Sequence, residues 1–457
     1  MNYKTPGVYV EEIAKFPPSV AQVETAIPAF IGHTDKGPRN EPTRISSMLE
    51  YETIFGGAKN EKTAISISIE DTVVTAKVDN AKLSPYKMHY AMQMYFANGG
   101  GPCYVVSVAD YDKTPALGTE TLVGGLWFGL KSLEKEDEPT LIVFPDAEVL
   151  GADAYKLYNK ALDQAEDLKD RFVIMDVFED AAAFRAGVNA TGLKYGAAYY
   201  PKLETVLSYS FDDKDVKIDS YKEINAAGAL VDVTMPQNEN NLAWLKSKSS
   251  ALYNQAQAVI ASKRVVLAPS SSMAGIYAKV DSTSGVWKAP ANLAISNVLA
   301  PVAKISHEEQ EGLNVDAVAG KSINAIRTFT GKGTLVWGAR TLDGNSNEWK
   351  YVPVRRFFNM VEESVKKATE RFVFEPNTAN TWVRVQAMIE NFLDQQWRDG
   401  ALAGSKPEEA YYVSVGLHKT MSAQDILEGR MNIEIGMAAV RPAEFIVLRF
   451  SHKLQEA

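Results

Sequence analysis

Apolar residues fall into short unbroken runs over the first two thirds of the chain and into three- and four-residue steps near its end. The two patterns predict different folds. Ala26-Ile27-Pro28-Ala29-Phe30-Ile31-Gly32 reads as a buried strand closed by glycine, and residues 103–108, 140–144, 171–176 and 264–268 read the same way. Helical patterns at 154–168 and 249–262 lie between the later runs. Short apolar strands separated by amphipathic helices predict a largely parallel α/β sheet over residues 21–335. Two segments interrupt that rhythm. Residues 64–78 alternate like an exposed hairpin, and 204–220 are polar and rich in Asp and Ser, so surface insertions are expected near 61–80 and 204–220.

Beyond residue 336 the period changes. Phe358, Val361, Val365, Ala368 and Phe372 define one face of a helix over 355–372. Trp382, Val385, Ile389, Phe392 and Leu393 do so over 381–398, and Gly400 and Gly404 stop that helix. Residues 411–415, 431–438 and 445–450 then read as strands. The expectation is an α+β domain over 336–444 and a C-terminal strand and arm over 445–457. Residues 1–20 behave as an extended N-terminal arm: Val8-Tyr9-Val10 reads as a strand between the breakers Pro6-Gly7 and Phe16-Pro17-Pro18. A lone strand cannot satisfy its own backbone, so it must pair with something.

Composition narrows the function. A chain of 457 residues, 46% hydrophobic and 23% charged, has ample material for more than one core. A formal charge of -9 without a cationic cluster excludes nucleic acid as the main partner. No stretch approaches the ~20 apolar residues that span a bilayer, so no membrane insertion is expected. MNYKTPGVYVEEI lacks the charged start and apolar run of a signal peptide, which predicts assembly in the cytoplasm. The single cysteine, Cys103, sits in an apolar strand and reads as inert core.

The search for chemistry yields no catalytic, cofactor or metal site, and the chain reads as no enzyme. His33, His89, His307, His418 and His452 are scattered without Cys or carboxylate partners at ligand spacing. No GxSxG elbow occurs. Ser270-Ser271-Ser272 reads as a turn following a strand. Gly331-Lys332-Gly333-Thr334 has the end of a phosphate loop, but Ile326 stands where the first glycine is required. Gly99-Gly100-Gly101 precedes a strand instead of following one, and is a turn.

Several blocks resemble contractile tail sheath proteins of phages and of related contractile injection systems. They are TPGVYVEEI with AIPAFIGHTDKGP, YFANGGGPCYVVSV, AGIYAKVDSTSGVWKAPAN, NAIRTF, GTLVWGARTL, VPVRRFFNMVEESV, FEPNTANTW and PAEFIVLRF, in that order along nearly the whole chain. The resemblance implies a structural subunit forming six-membered rings stacked around an inner tube, with contraction from a high-energy extended state. It implies an outer domain from the middle of the chain, likened to a subtilisin fold though without its triad, and an inner domain from the C-terminal part. Its implied partners are further copies of the chain, the inner tube protein, baseplate and terminal cap proteins and a disassembly ATPase, within a phage tail or an injection particle. A surface-layer or other self-assembling interaction protein and an α/β hydrolase remain as alternative classes.

Two sets of site residues follow. Tyr3, Val8, Tyr9, Val10 and Ile13 at one end, and Phe445, Val447, Leu448 and Phe450 at the other, are expected to join sheets shared between subunits. About fourteen extended residues reach at most ~45–50 Å, enough to bridge to a neighbour. The residues alone leave open that both strands close this subunit's own sheet. By similarity, the segment from Ser422 to Arg430 matches the short helix that touches the tube. Ser422 reads as its N-cap, with Asp425 completing a capping-box-like start, and Gln424, Asp425, Glu428 and Arg430 are placed to pair with tube charges. An ordinary surface helix remains the other reading of that segment.

Overall fold

The computed structural model describes residues 19–178, 180–236 and 239–448. Strands β1 (Pro28–Gly32), β2 (Thr43–Ile45), β3 (Ile65–Glu70), β4 (Val73–Val78), β5 (Cys103–Ser107), β6 (Leu141–Val143), β7 (Phe172–Asp176) and β8 (Gly196–Tyr200) come first. They are followed by β9 (Leu203–Ser208), β10 (Lys217–Ile224), β11 (Leu230–Asp232), β12 (Arg264–Leu267), β13 (Val298–Pro301), β14 (Ile323–Phe329) and β15 (Gly333–Val336). The last pair is β16 (Tyr411–Val415) and β17 (Ile433–Met437).

The main sheet has eight strands in the order β15-β14-β8-β7-β6-β1-β5-β2. Pairing is parallel from β14 through to β5, and the two edge strands β15 and β2 are antiparallel. Successive side chains enter opposite cores. Ala29, Ile31, Val106, Ile142, Val173 and Met175 face one side, where the Asp153–Leu168 helix brings Leu157, Tyr158, Ala161 and Leu162. Phe30, Val105, Val143, Phe172 and Ile174 face the other, against the Met88–Ala97 and Ser270–Ser284 helices. Both faces are covered, which is why these strands read as continuous apolar runs.

Three sequence expectations are corrected here. Residues 264–268 do form a strand, but β12 lies outside the parallel sheet, antiparallel to β9 in a three-stranded sheet β12-β9-β13. An apolar run fixes burial and leaves the partner strand undetermined. Ser270, Ser271 and Ser272 are the buried first turn of the Ser270–Ser284 helix, not a turn. Further along the same helix, a Cβ on Gly275 would stand 2.5 Å from the Tyr95 carbonyl oxygen, so this helix and the Met88–Ala97 helix approach closely at that position. Asp176, at the end of β7, accepts the Ser270 amide at 2.8 Å, and burial pushes its carboxyl up to about 7.

The two polar segments are not separate surface insertions. β3 pairs with β4 as an antiparallel hairpin and with β10 in parallel, giving a four-stranded sheet β11-β10-β3-β4. Ile65, Ile67 and Ile69 of the hairpin are buried with Ile218 and Tyr221 of β10, Leu242 and Leu245, and Ala256 and Ile260. Together they build a third core, distinct from the two that flank the main sheet.

The described chain divides into two compact units, one comprising 24–359 and 441–448, the other 19–23 and 360–440. The division at 359/360 falls inside the Val352–Thr369 helix. The smaller unit is built on the Ala379–Arg398 helix, whose Val385, Ile389, Phe392 and Leu393 are buried as their spacing predicts, and on the antiparallel pair β16–β17.

Candidate assembly surfaces

The smaller unit carries a sheet of only two strands. Five residue pairs, from Tyr411 opposite Met437 to Val415 opposite Ile433, join β16 and β17. The pairing continues past β17 through the bridge of Leu402 with Ala439 and the Val440 amide donating to the Ala401 carbonyl. Among the described residues each of the two strands keeps one edge without a further strand. Such an edge is a row of backbone donors and acceptors suited to strand addition.

Tyr3, Val8, Tyr9, Val10, Ile13 and Phe450 lie outside the described residues. Phe445, Ile446, Val447 and Leu448 are described, and no strand is assigned to them, in contrast to the strand expected over 445–450. They are 71%, 80%, 76% and 72% exposed. A β-branched and aromatic run has strand propensity, but a strand exists only where another supplies its hydrogen bonds. Immediately before this run, Glu444 is gripped by residues far away in sequence. Arg340 donates to both of its oxygens, through Nε at 2.9 Å and Nη2 at 2.7 Å. Asn314 Nδ2 donates at 2.8 Å and the Tyr351 hydroxyl at 3.0 Å. Burial alone would raise the Glu444 carboxyl, but the hydrogen bonds from Arg340 and Asn314 and the guanidinium charge hold it below its ordinary value. Arg340 is itself fixed, its backbone amide and carbonyl both bonded to the buried Asn324 side chain at 2.8 Å.

The short helix Ala423–Leu427 begins with a complete capping box: Ser422 Oγ accepts the Asp425 amide, and the Asp425 carboxylate accepts the Ser422 amide. The Ser422 hydroxyl, the Ser422 amide and the Arg430 guanidinium together hold the Asp425 carboxyl down to about 2. Gln424 donates to Glu428 at 2.6 Å, and Arg430 bridges Asp425 at 2.8 Å and Glu428 at 2.6 Å. The polar side chains singled out in the sequence thus come together as one network, engaged with each other, beside a Leu427 that is 82% exposed.

No cluster of His, Cys, Asp or Glu among the described residues could hold a metal ion, and no helix among them is long and apolar enough to cross a membrane. Cys103 is buried, and burial pushes its thiol far up. The Gly331-Lys332-Gly333 segment is the tight turn between β14 and β15, with positive φ at both glycines. Sequence reasoning missed Glu444, Arg340, Asn314 and Tyr351. The available signal was a lone acid set against the apolar run FIVL, and a lone arginine closing the apolar run TLVWGA.

The family model described as the phage tail sheath C-terminal domain matches residues 345–453. The tail sheath protein of Enterobacteria phage T4 is 27% identical over 111 residues, which are 24% of this chain but only 16% of that relative. Solved structures match over far more. A sheath chain of the extracellular contractile injection system PVC, in its contracted state, is 30% identical with a TM-score of 0.65, covering 99% of this chain and 99% of its own. A chain in the baseplate structure of the anti-feeding prophage is 31% identical with a TM-score of 0.64, covering 99% of this chain and 100% of its own. Similarity at that level over 99% or more of both chains, with the described strands and helices in the same fold, places this protein in the contractile tail sheath family.

Proposed function

We propose that the chain is a structural subunit that stacks in six-membered rings around an inner tube and passes from a metastable extended lattice to a contracted one, driving the tube through a target envelope. The observation that carries this reading is the match along 99% of both chains to a sheath in its contracted state. Residues 21–335 form the outer domain in this reading, and 336–444 the inner one. Further copies of the chain, the tube protein, the baseplate, a terminal cap and a disassembly ATPase are its partners, within a phage tail or an extracellular or cytoplasmic injection particle. The similar chain seen in a baseplate structure supports the baseplate contact.

The two arms connect the lattice. Tyr3, Val8, Tyr9, Val10 and Ile13 of one copy, and Phe445, Val447, Leu448 and Phe450 of another, add to the open two-stranded sheet of a neighbour. The Ala423–Leu427 helix faces the tube. Solvated ion pairs worth roughly 0–1 kcal/mol suit a contact that must release during contraction. Assembly of the purified chain is the test, read by negative-stain microscopy. Long hollow cylinders are expected, and a chain lacking residues 1–13 should stay a folded monomer. Flat arrays in place of cylinders would point to a surface-layer protein, and normal cylinders from the shortened chain would remove the N-terminal arm from the reading.

A further inference from the structure

We propose that Glu444, held by Arg340, Asn314 and Tyr351, is the fixed anchor that presents Phe445–Leu448 to a second copy of this chain. The proposal rests on the reading that the C-terminal arm is donated, and concerns how that arm is delivered. Three observations converge. The carboxylate receives four hydrogen bonds from three side chains, a bidentate guanidinium pair among them. The Arg340 side chain is 7% exposed and that of Glu444 21%, so the pair is shielded from the screening that weakens surface ion pairs. The very next residue begins a run of four apolar side chains, each more than 70% exposed. A multiply hydrogen-bonded grip at residue n and a solvent-facing apolar run from n+1 is what a segment needs if its base must stay put while its tip binds elsewhere.

The physical effect is preorganisation. Upstream of Glu444, the nearest described backbone tie is the Val440 amide on the Ala401 carbonyl. Releasing Glu444 would therefore free residues 441–444 as well as the arm. Each freed residue adds conformational freedom that strand addition must remove, and a longer slack segment lowers the effective concentration of the arm at its acceptor. Arg340 and Glu444 are positioning residues in this account: neither touches the acceptor sheet.

The test compares five purified chains: wild type, Glu444→Gln, Arg340→Met and Tyr351→Phe at full length, and a chain ending at Glu444. Light scattering gives the critical concentration for polymerisation. Glu444→Gln should raise it at least tenfold, Arg340→Met should do the same, and Tyr351→Phe, which removes one bond of four, should raise it only a few-fold. The chain ending at Glu444 should not polymerise. If that truncated chain assembles like wild type, the donated-arm reading itself falls. If it fails to assemble while Glu444→Gln assembles at the wild-type concentration, only the anchor is overturned. A second measurement does not depend on assembly. A spin label on Ile446→Cys, with the native Cys103 buried and unreactive, reports arm mobility in the monomer. Glu444→Gln should narrow its spectrum toward that of a free chain, and an unchanged spectrum overturns the anchor.

Discussion

The pair Arg356–Asp281 offers a direct measure of how the larger unit is held together near the point where its chain begins. Arg356 Nη1 and Nη2 donate to the two Asp281 oxygens at 3.0 and 2.6 Å, with side chains 3% and 7% exposed. Nη2 also donates to the Thr25 carbonyl at 2.9 Å, the Thr25 hydroxyl donates to Asp281 at 2.5 Å, and the guanidinium lies 4.6 Å from the Tyr277 ring centroid. Thr25 stands three residues before β1, so this cluster ties the entry of the chain to two helices of the larger unit. Replacing Asp281 by Ala removes three bonds to its carboxylate, two from the guanidinium and one from the Thr25 hydroxyl, worth about 1.5–3 kcal/mol each. The Thr25 carbonyl and the Tyr277 face still hold the cation, the latter by about 0.5–2 kcal/mol. A net loss of ~3 kcal/mol follows, at the lower end of what removal of one buried partner costs. At about 2 °C per kcal/mol for a unit of this size, Tm should fall by roughly 6 °C. Calorimetry on monomeric protein, kept dilute to suppress assembly, measures it. Arg356→Met should cost a similar amount, and the double variant Asp281→Ala with Arg356→Met much less than the sum, because removing both partners leaves no orphaned charge. Single losses below ~1 kcal/mol, or singles that simply add, would refute the reasoning.

Asp176 predicts a pH dependence. Its carboxyl is raised to about 7 by burial, so between pH 4 and 7 the folded chain holds a proton that the unfolded chain releases, and stability falls as pH rises through that window. Asp176→Asn keeps an acceptor for the Ser270 amide and should gain steadily on wild type in Tm from pH 4 to 7, then run parallel above it. A constant difference across the window would show that Asp176 does not titrate there. On the proposal that the Ala423–Leu427 helix faces an inner tube, exchanging Asp425 and Glu428 for Lys should abolish co-assembly with the tube while tube-free contracted sheath still forms, and unaffected tube binding would remove this helix as the contact. Gly436→Ala should loosen the β16–β17 pair, because a Cβ there would overlap the Tyr412 ring. Circular dichroism should show a lowered melting temperature with the larger unit unchanged, and an unchanged melt would mean that the ring moves aside freely.

Legibility of this fold from sequence follows the environment of each strand. β1, β5, β6 and β7 are buried on both faces, so their apolar runs identify them. β8 lies in the same sheet but escaped notice, because it opens with the small residues Gly196, Ala197 and Ala198, the first of them where the Asp153–Leu168 helix comes close. A Cβ on Gly196 would stand 2.6 Å from Leu162 and 2.5 Å from Met175. β14 escaped for a different reason: the buried Asn324 interrupts its apolar run, and is satisfied only through the Ala198 and Arg340 backbones, contacts remote in sequence. The third core was hidden because its two halves, β3 and β10, are separated by some 150 residues and each alone resembles a polar surface excursion. The capping box at Ser422 was legible, being local, whereas the Glu444 grip was not: its partners lie 93 to 130 residues away.

The energetics of a four-residue arm explain why its base should be fixed at all. Burying Phe445, Ile446, Val447 and Leu448 against a neighbour gains about 1.5–3 kcal/mol each, or ~6–12 kcal/mol as an upper bound. Ordering four backbone residues costs about 1–2 kcal/mol each, ~4–8 kcal/mol in all. Joining two separate copies costs a further 4–15 kcal/mol, so one arm alone cannot hold a pair together. It becomes favourable once other contacts have already brought the copies side by side, and then every residue whose freedom is removed beforehand counts directly toward the joint. A segment anchored at Glu444 enters that exchange with residues 441–444 already ordered, worth some 4–8 kcal/mol on the same per-residue scale and comparable with the margin of the joint itself. Joints that are weak singly and numerous together are also what a lattice requires if its subunits are to turn past one another without coming apart.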